Sequence, residues 1–532
     1  MLKSKFFLFL SFALLFIGCA KRGTITGGAK DTIPPVLINS SPKNFSTNFK
    51  GDFIKITFDE YIKIKDISKQ LIISPPMKNA PYIVPMGSAS KFITIKINDT
   101  LQPNTTYSFN FGQSITDNNE GNPFSQFKYV FSTGSYIDSL KIGGKIRDAL
   151  SKKTDNFVNI QLYEAATFND STVYKEQPRY VTNSLDSLTT FALENLKEGK
   201  YYLVALKDEN KDYKYSPKTD KIAFHKSPIV IPNDTLFRLD LFKEALAFTA
   251  EKPSQASANR IIMGYQGIPK NLSLKVTHNG TELPSVVSKV AKADSLQIWI
   301  PKIKADSLQI AVKEDQFSKS FVAKIKEMKT VDTLSLKAKQ KSNLNFRENF
   351  IVEAATPLVK IDNSKIRITK TDSTAVEFTT KYKELEQELV FDFKKEESEK
   401  YKVVLLPGAV KDFYDKENDS LTYNLSTKKL TDFGNLKIVL ENVNRFPVIV
   451  ELLDDKENVI ASGYSEKETT LSFEALEPRR YTLRVIYDDD KNKEWTTGNF
   501  LEKRQPEEVV YFPKEIDIRA NWDVEQPFIL TK

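Results

Sequence analysis

Beyond about residue 35 the chain reads as one short alternating run after another. Ile54, Ile56 and Phe58 alternate with polar or outward positions, and so do Ile93, Ile95 and Ile97, then Tyr107, Phe109 and Phe111, then Phe127, Tyr129 and Phe131. Period-two alternation over runs this short places one face of a strand in a core and the other in water. Turn signals separate the runs, among them Ser74-Pro75-Pro76, Gln102-Pro103-Asn104 and the stretch Asp117 to Asn122. Short strands at this spacing predict antiparallel sandwiches, so the expected fold class is all-β, a tandem of β-sandwich domains. Helix is scarce; Tyr382 to Leu389 is expected to form a short turn of it.

The first residues break this pattern. Lys3 and Lys5 precede an apolar run from Phe6 to Ile17, and Gly18 stands directly before Cys19, the one cysteine of the chain. A bilayer span needs about 20 apolar residues, so this run reads as a secretion signal rather than a membrane helix. Leu15-Phe16-Ile17-Gly18-Cys19 resembles a bacterial lipoprotein signal, with Phe16 where Leu is usual and Leu15 beside it. The resemblance implies cleavage before Cys19 and a lipid on Cys19, hence a membrane anchor. From Ala20 to about Pro35 the chain is rich in Gly, Thr, Lys and Pro without periodicity and reads as a tether. No later segment is long and apolar enough to cross a membrane.

With 532 residues the chain is too long for one core. Its 40% hydrophobic and 27% charged residues are those of a globular protein. No cysteine remains for disulfides, so each domain must stand on its own apolar core. The net charge of +8 comes from 77 basic against 69 acidic residues interspersed along the chain. A nucleic-acid partner would call for a concentrated basic face, so none is expected. Two histidines, His225 and His278, leave little for histidine catalysis or zinc.

Residues 31 to 134 carry Pro34-Pro35-Val36, Ser41-Pro42, Ile56-Thr57-Phe58-Asp59-Glu60, Leu101 to Tyr107, Ile115-Thr116-Asp117, Gly121-Asn122 and Phe131-Ser132-Thr133-Gly134. In this order they resemble a bacterial Ig-like domain of the S-layer-protein (SbsA) type. The stretch from Gly23 through Gly27-Gly28, Lys30-Asp31 and Pro34-Pro35, behind a lipidated cysteine, resembles the opening of Ig-like lipoproteins from the Bacteroidota.

One internal repeat keeps register without a gap. Leu193, Leu196, Tyr201, Leu203, Ala205, Asp208, Asn210, Asp212 and Tyr215 return 280 positions later as Phe473, Leu476, Tyr481, Leu483, Val485, Asp488, Asp490, Asn492 and Trp495. Each copy reads as strand, acidic loop, aromatic, and resembles a transthyretin-like or carboxypeptidase-regulatory-like sandwich. Leu358 to Ile368 parallels Ile62 to Ile73, and Val410-Lys411-Asp412 with Leu425-Ser426-Thr427 parallels Ile115-Thr116-Asp117 with Phe131-Ser132-Thr133. Lys292 to Ile298 repeats as Lys304 to Ile310, which predicts neighbouring strands opened by similar turns. The expected organisation is a signal peptide over 1–18, a lipidated tether over 19–33 and an SbsA-type Ig-like domain over 34–135. A transthyretin-like sandwich over 139–245, a further sandwich over 246–337, a diverged Ig-like domain over 338–432 and a second transthyretin-like sandwich over 433–532 follow.

Candidate chemistry lies in the repeated acidic loops. Asp208, Asn210 and Asp212, and Asp488, Asp490 and Asn492, put oxygen side chains at alternate positions, as a structural calcium ion would use. An EF-hand is absent, because Tyr213 and Lys493 occupy its sixth position and Thr219 and Asn499 its twelfth. The competing reading is an Asx-rich turn whose side chains bind nearby amides. Asp59 and Glu60 are adjacent on a strand and point to opposite faces, so they do not form an acid–base pair. There is no Gly-x-Ser-x-Gly elbow, phosphate-binding Gly loop or His-Glu-x-x-His. Trp299 reads as core; Trp495 and Trp522 are aromatics that could pack or stack on a sugar.

No catalytic residue is expected. The function expected is a non-enzymatic, outer-membrane-anchored lipoprotein that scaffolds or joins a cell-envelope complex with a protein partner; the family resemblance points to outer-membrane protein assembly or transport. The alternative is a surface lipoprotein that binds or processes glycans. Ala20-Lys21-Arg22 is basic where surface-export signals are acidic, which favours a periplasmic-facing anchor.

Overall fold

The computed structural model describes residues 31–184, 189–269 and 271–530. The expected signal peptide, Cys19 and most of the expected tether lie outside them. Among the described residues no helix is long and apolar enough to cross a membrane. The chain is all-β, a tandem of sandwiches, and separates into two compact units. The first unit runs to Lys141 and takes in Arg179–Leu185 and Leu193–Gly199; the second holds the rest.

In the first unit one sheet orders Leu37–Ser41, Phe53–Ile64, Ser90–Lys96 and Tyr82–Val84, with Ile115–Asp117 added to the long strand. The other orders Ile72–Ser74, Thr106–Asn110 and Lys128–Ser132. The alternation read from the sequence is the inward set. Ile54, Ile56, Phe58, Ile93, Ile95, Phe109, Phe111, Tyr129 and Phe131 are fully buried in one core. Pairing Ile54 with Ile95 and Ile56 with Ile93 fixes the register, since a slip of one residue would turn every one of them outward.

In the second unit, residues 336–426 repeat this topology. The sheet Leu336–Ala338, Phe350–Ala354, Glu388–Phe393, Phe378–Lys383 faces Ile366–Thr369, Lys400–Leu405, Leu421–Ser426, and Leu358–Ile361 pairs with Val410–Asp412 as Phe53–Ile64 pairs with Ile115–Asp117. Side-chain locks recur 294 positions apart. The Tyr107 hydroxyl accepts the Gln102 N–H at 2.9 Å, and the Tyr401 hydroxyl accepts that of Glu396 at 2.6 Å. Thr133 accepts from the Thr105 amide and Thr427 from that of Glu399. Such a tyrosine corner ties a strand to the connection before it.

The helical turn expected over Tyr382 to Leu389 does not form. Phe378–Lys383 and Glu388–Phe393 make a hairpin with Lys383 opposite Glu388, and Gln387, at φ 56°, helps close the turn. Pairing to Phe350–Ala354 and burial of Leu389 and Phe391 override the helix-favouring Glu and Lys content.

The repeated Lys-Ala-Asp-Ser-Leu-Gln-Ile segments also depart from expectation. Ser295–Trp299 lies in the sheet with Arg260–Gln266 and Val286–Lys289, whereas Ser307–Glu314 lies in the sheet with Ser273–His278 and Phe317–Lys324. They face each other across one core, where Leu296, Ile298, Leu308 and Ile310 meet. The repeat encodes the same inward alternation, and alternation alone does not choose a sheet.

The gapless repeat corresponds to matching strands. Thr190–Leu196 and Gly199–Lys207 answer to Thr470–Leu476 and Arg479–Tyr487 at the same spacing of 280. In each copy a first strand pairs in parallel with a last one, Leu140–Asp148 with Leu236–Leu241 and Gly434–Glu441 with Asp523–Ile529. In each a central strand is flanked by antiparallel neighbours, Gly199–Lys207 by Asn159–Glu164 and Lys221–Phe224, and Arg479–Tyr487 by Val448–Leu453 and Val509–Tyr511.

Candidate functional site

The two acidic loops leave the ends of equivalent strands and share a backbone trace. Lys211 and Tyr213 take positive φ (60° and 62°), and so do Lys491 and Lys493 (61° and 68°). This left-handed backbone is costly for residues with a Cβ. A buried aspartate holds it in place. Asp208 accepts the Lys211 amide at 2.6 Å and the Tyr213 amide at 2.8 Å. Asp488, fully buried, accepts the Asn492 amide at 3.1 Å and the Lys493 amide at 3.0 Å. Asp212 accepts the Lys214 amide and Asn492 that of Glu494, so a second cap recurs as well. Asn210 reaches the Thr219 hydroxyl, while Asp490 accepts that of Thr496 at 2.7 Å.

A further acid completes each loop, and sequence reading missed it. Asp220 accepts the Glu209 and Ser216 amides. Glu507 accepts the Asp489 amide at 2.7 Å, the Asp490 amide at 3.3 Å and the Thr496 amide at 2.8 Å. The second loop is longer, so the two acids are out of the gapless register; the available signal was an acid just before a strand in both copies. Burial lifts the Asp208 carboxyl above its ordinary range despite its two amide partners. Burial likewise lifts that of Glu507, against the pull of the Thr496, Asp490 and Asp489 amides.

Asp488, Asp490 and Glu507 bring one carboxylate oxygen each within 4.8 Å of one another. Calcium requires about six to eight oxygens. Three carboxylates already accepting backbone N–H groups, beside one threonine hydroxyl, match an Asx-rich turn better than a calcium cage. The structure turns the Asn492 side-chain oxygen to the Glu494 amide, not to this cluster.

What the second loop does is reach the other copy. Residues 495–505 form a strap whose Phe500 is 2% exposed and belongs to the core cluster of Tyr163, Tyr215, Phe224 and Phe242. The Phe500 ring meets that of Phe224 edge-on, with centroids 5.3 Å apart. Its N–H donates to Glu244 at 2.5 Å, and the other oxygen of Glu244 accepts the Tyr215 hydroxyl at 2.7 Å. Gly498 lies flat on Phe242; a Cβ there would stand 2.6 Å from the ring. Gln505 donates to the Phe224 carbonyl, Thr497 to that of Lys243, and Lys503 pairs with Asp170 at 3.1 Å.

A second set of contacts flanks the strap. Arg484, paired with Glu451 at 2.6 Å, donates to the Leu150 carbonyl, which also accepts the Tyr511 hydroxyl. Arg147, gripped by Asp240, donates to the Val509 carbonyl. Trp495 packs against the Phe500 cluster and against a second one of Ile449, Ile486 and Val509, with its indole N–H on the Glu507 carbonyl. Trp299 is buried with its N–H on Ser288, as expected of core. Trp522 is 52% exposed with the Arg519 guanidinium over its ring. Asp59 accepts the Val36 amide and stays at the surface.

Residues 31–133 match the family model of a bacterial Ig-like domain, about a fifth of the chain. The chain carries an Ig-like domain. Among solved structures, the S-layer protein rSbsC(31-844) is 12% identical with a TM-score of 0.15, the match covering 91% of this chain and 67% of that one. The major pilin subunit BcpA of Bacillus cereus is 9% identical at a TM-score of 0.14, covering 74% of this chain and 99% of that one. No curated protein matches.

Proposed function

We propose that the protein is a non-enzymatic scaffold, a lipoprotein of the Bacteroidota type held to the outer membrane through Cys19, whose sandwiches position a protein partner in the cell envelope. The observation that carries this reading is the strap. It spends the most elaborated loop of the molecule on bracing two of the chain's own sandwiches, and a braced pair presents its surfaces at fixed spacing. The carboxylates of the acidic loops are occupied by backbone amides, which supports a structural role for them. The repeated modules fit transthyretin-like sandwiches, a class used for docking. Fold alone does not assign function; the resemblance to Bacteroidota Ig-like lipoproteins suggests a complex serving outer-membrane protein assembly or transport.

Copurification of the native protein from membranes in mild detergent tests this. A stoichiometric envelope protein is the expected result. Recovery of the protein alone at native expression, or turnover of a substrate at enzymatic rates, contradicts it.

A further inference from the structure

The first Ig-like sandwich shows an outward sheet face that its fold does not require. Phe53, Tyr61, Tyr82 and Phe92 are 51%, 56%, 62% and 41% exposed, and Lys55 and Lys96 stand among them. Lys96 lies opposite both Phe53 and Tyr82 in the ladder, and the Lys55 ammonium sits 4.4 Å from the Phe92 ring centre. The second Ig-like copy supplies an internal control. Ile54 opposite Ile95 corresponds to Phe350 opposite Phe391, and Ile56 opposite Ile93 to Val352 opposite Leu389. In that register Phe53, Tyr82, Phe92 and Lys96 become Asn349, Thr379, Glu388 and Asp392. The same sheet folds with these four polar residues and with Lys381 and Lys383 beside them, so the exposed aromatic side chains of the first copy are not a demand of the architecture. Large exposed apolar side chains gathered on one surface mark an interaction site.

We infer that this face rests on an anionic phospholipid bilayer. The inference builds on the lipid anchor proposed above. Eleven residues separate Cys19 from Asp31, a reach of at most about 40 Å when extended. The chain enters this sandwich beside the face: the Val36 amide donates to Asp59, two residues before Tyr61, and the Tyr61 ring has Lys91 at 5.5 Å. Aromatic rings suit the interfacial zone of a bilayer, and lysines suit its anionic headgroups. The anchor would hold the face within reach, and the face would orient the sandwiches relative to the membrane.

The test uses the full mature chain carrying Cys19→Ser, so that no lipid contributes, and vesicles of phosphatidylglycerol or of phosphatidylcholine. The expected result is salt-sensitive sedimentation with the phosphatidylglycerol vesicles only. Lys96→Glu should weaken it at least about fivefold, and Phe92→Ser should weaken it independently of salt. Lys381→Glu, on the matching sheet of the second Ig-like copy, should leave it unchanged. Circular dichroism melts identify any variant that fails to fold, and Tyr82→Ser then replaces it. Absence of binding, equal loss in Lys381→Glu, or association only with an acidic envelope protein would overturn the inference. The intact mass of the native protein reports acylation separately. Binding without acylation would remove the anchor and keep the face; acylation without face-dependent binding would do the reverse.

Discussion

The sandwiches at 140–241 and 434–529 differ where it matters most. Both pair their first and last strands in parallel, and both hold a left-handed loop with a buried aspartate. The first loop closes on its own sandwich, with Tyr215 in the local core. The second runs on past Trp495 and delivers Phe500 into the core of the other copy. The lesson is that the part shared by the copies builds a sandwich, and the part that differs joins sandwiches. The sandwiches at 37–132 and 336–426, which share one topology, teach the same on their outward faces. Their inward residues and tyrosine corners agree, while one outward sheet carries Phe92 and Lys96 and the other Glu388 and Asp392.

If the strap is the device that joins them, Phe500→Ala is the severest change. It should cost about 3–5 kcal/mol, read as a lowered midpoint in urea unfolding followed by cleavage within residues 495–505 by added protease. A loss under about 1 kcal/mol would mean that the strap merely lies on the surface. The acidic loops sharpen the contrast. Asp488→Ala and Asp208→Ala each remove the carboxylate that accepts two loop amides, at about 1–3 kcal/mol. Asp488→Ala should be the costlier by thermal melting, because it also releases the strap; equal costs would separate the loop from the docking. Gly498→Ala should cost about 1–3 kcal/mol by pressing a methyl group into the Phe242 ring.

The pH response of the first Ig-like sandwich is a smaller effect. Burial alone would raise the Asp117 carboxyl, yet the amides of Gly121, Asn122, Glu120 and Asn119 outweigh it and hold the carboxyl below its usual 3.8. Its stabilisation is therefore complete above the unfolded value and is lost as pH falls through the lower folded one. Asp117→Asn should flatten this acid limb in melts taken at falling pH; an unchanged limb would place the titration elsewhere. The smallest effect expected is that of calcium. Amide-filled turns predict the same melting temperature in chelator and in excess calcium, whereas a site filled at 100 times its dissociation constant would add about 2.7 kcal/mol.

Most of the fold could be read before the structure, because burial writes a period of two into strands. Ile54, Ile56 and Phe58 told which side of a strand faces the core, and the spacing of 280 told that two sandwiches share a plan. Alternation does not say which strands are partners, so Ser295–Trp299 and Ser307–Glu314, alike in pattern, lie in opposing sheets rather than side by side. The hairpin at Phe378–Lys383 and Glu388–Phe393 was hidden by helix-favouring side chains whose pairing is tertiary. The acidic loops were visible as loops, but Asp220 and Glu507 were not, since a longer connection moved them out of register. Nothing local marks Phe500 as a core residue of a sandwich that ends some 250 residues earlier. It reads as one more aromatic in a polar loop until the partner surface is known.

The bracing of the two repeated sandwiches is tested most directly by a zero-length carbodiimide cross-link. Lys503 and Asp170 are 3.1 Å apart across the joint, and Lys437 and Glu525, 2.9 Å apart within one sandwich, serve as the internal standard. Peptide mass spectrometry of the monomer should find both amides in the native chain and only the second in Phe500→Ala. A native chain that yields the Lys437–Glu525 link and never the Lys503–Asp170 link would contradict the account.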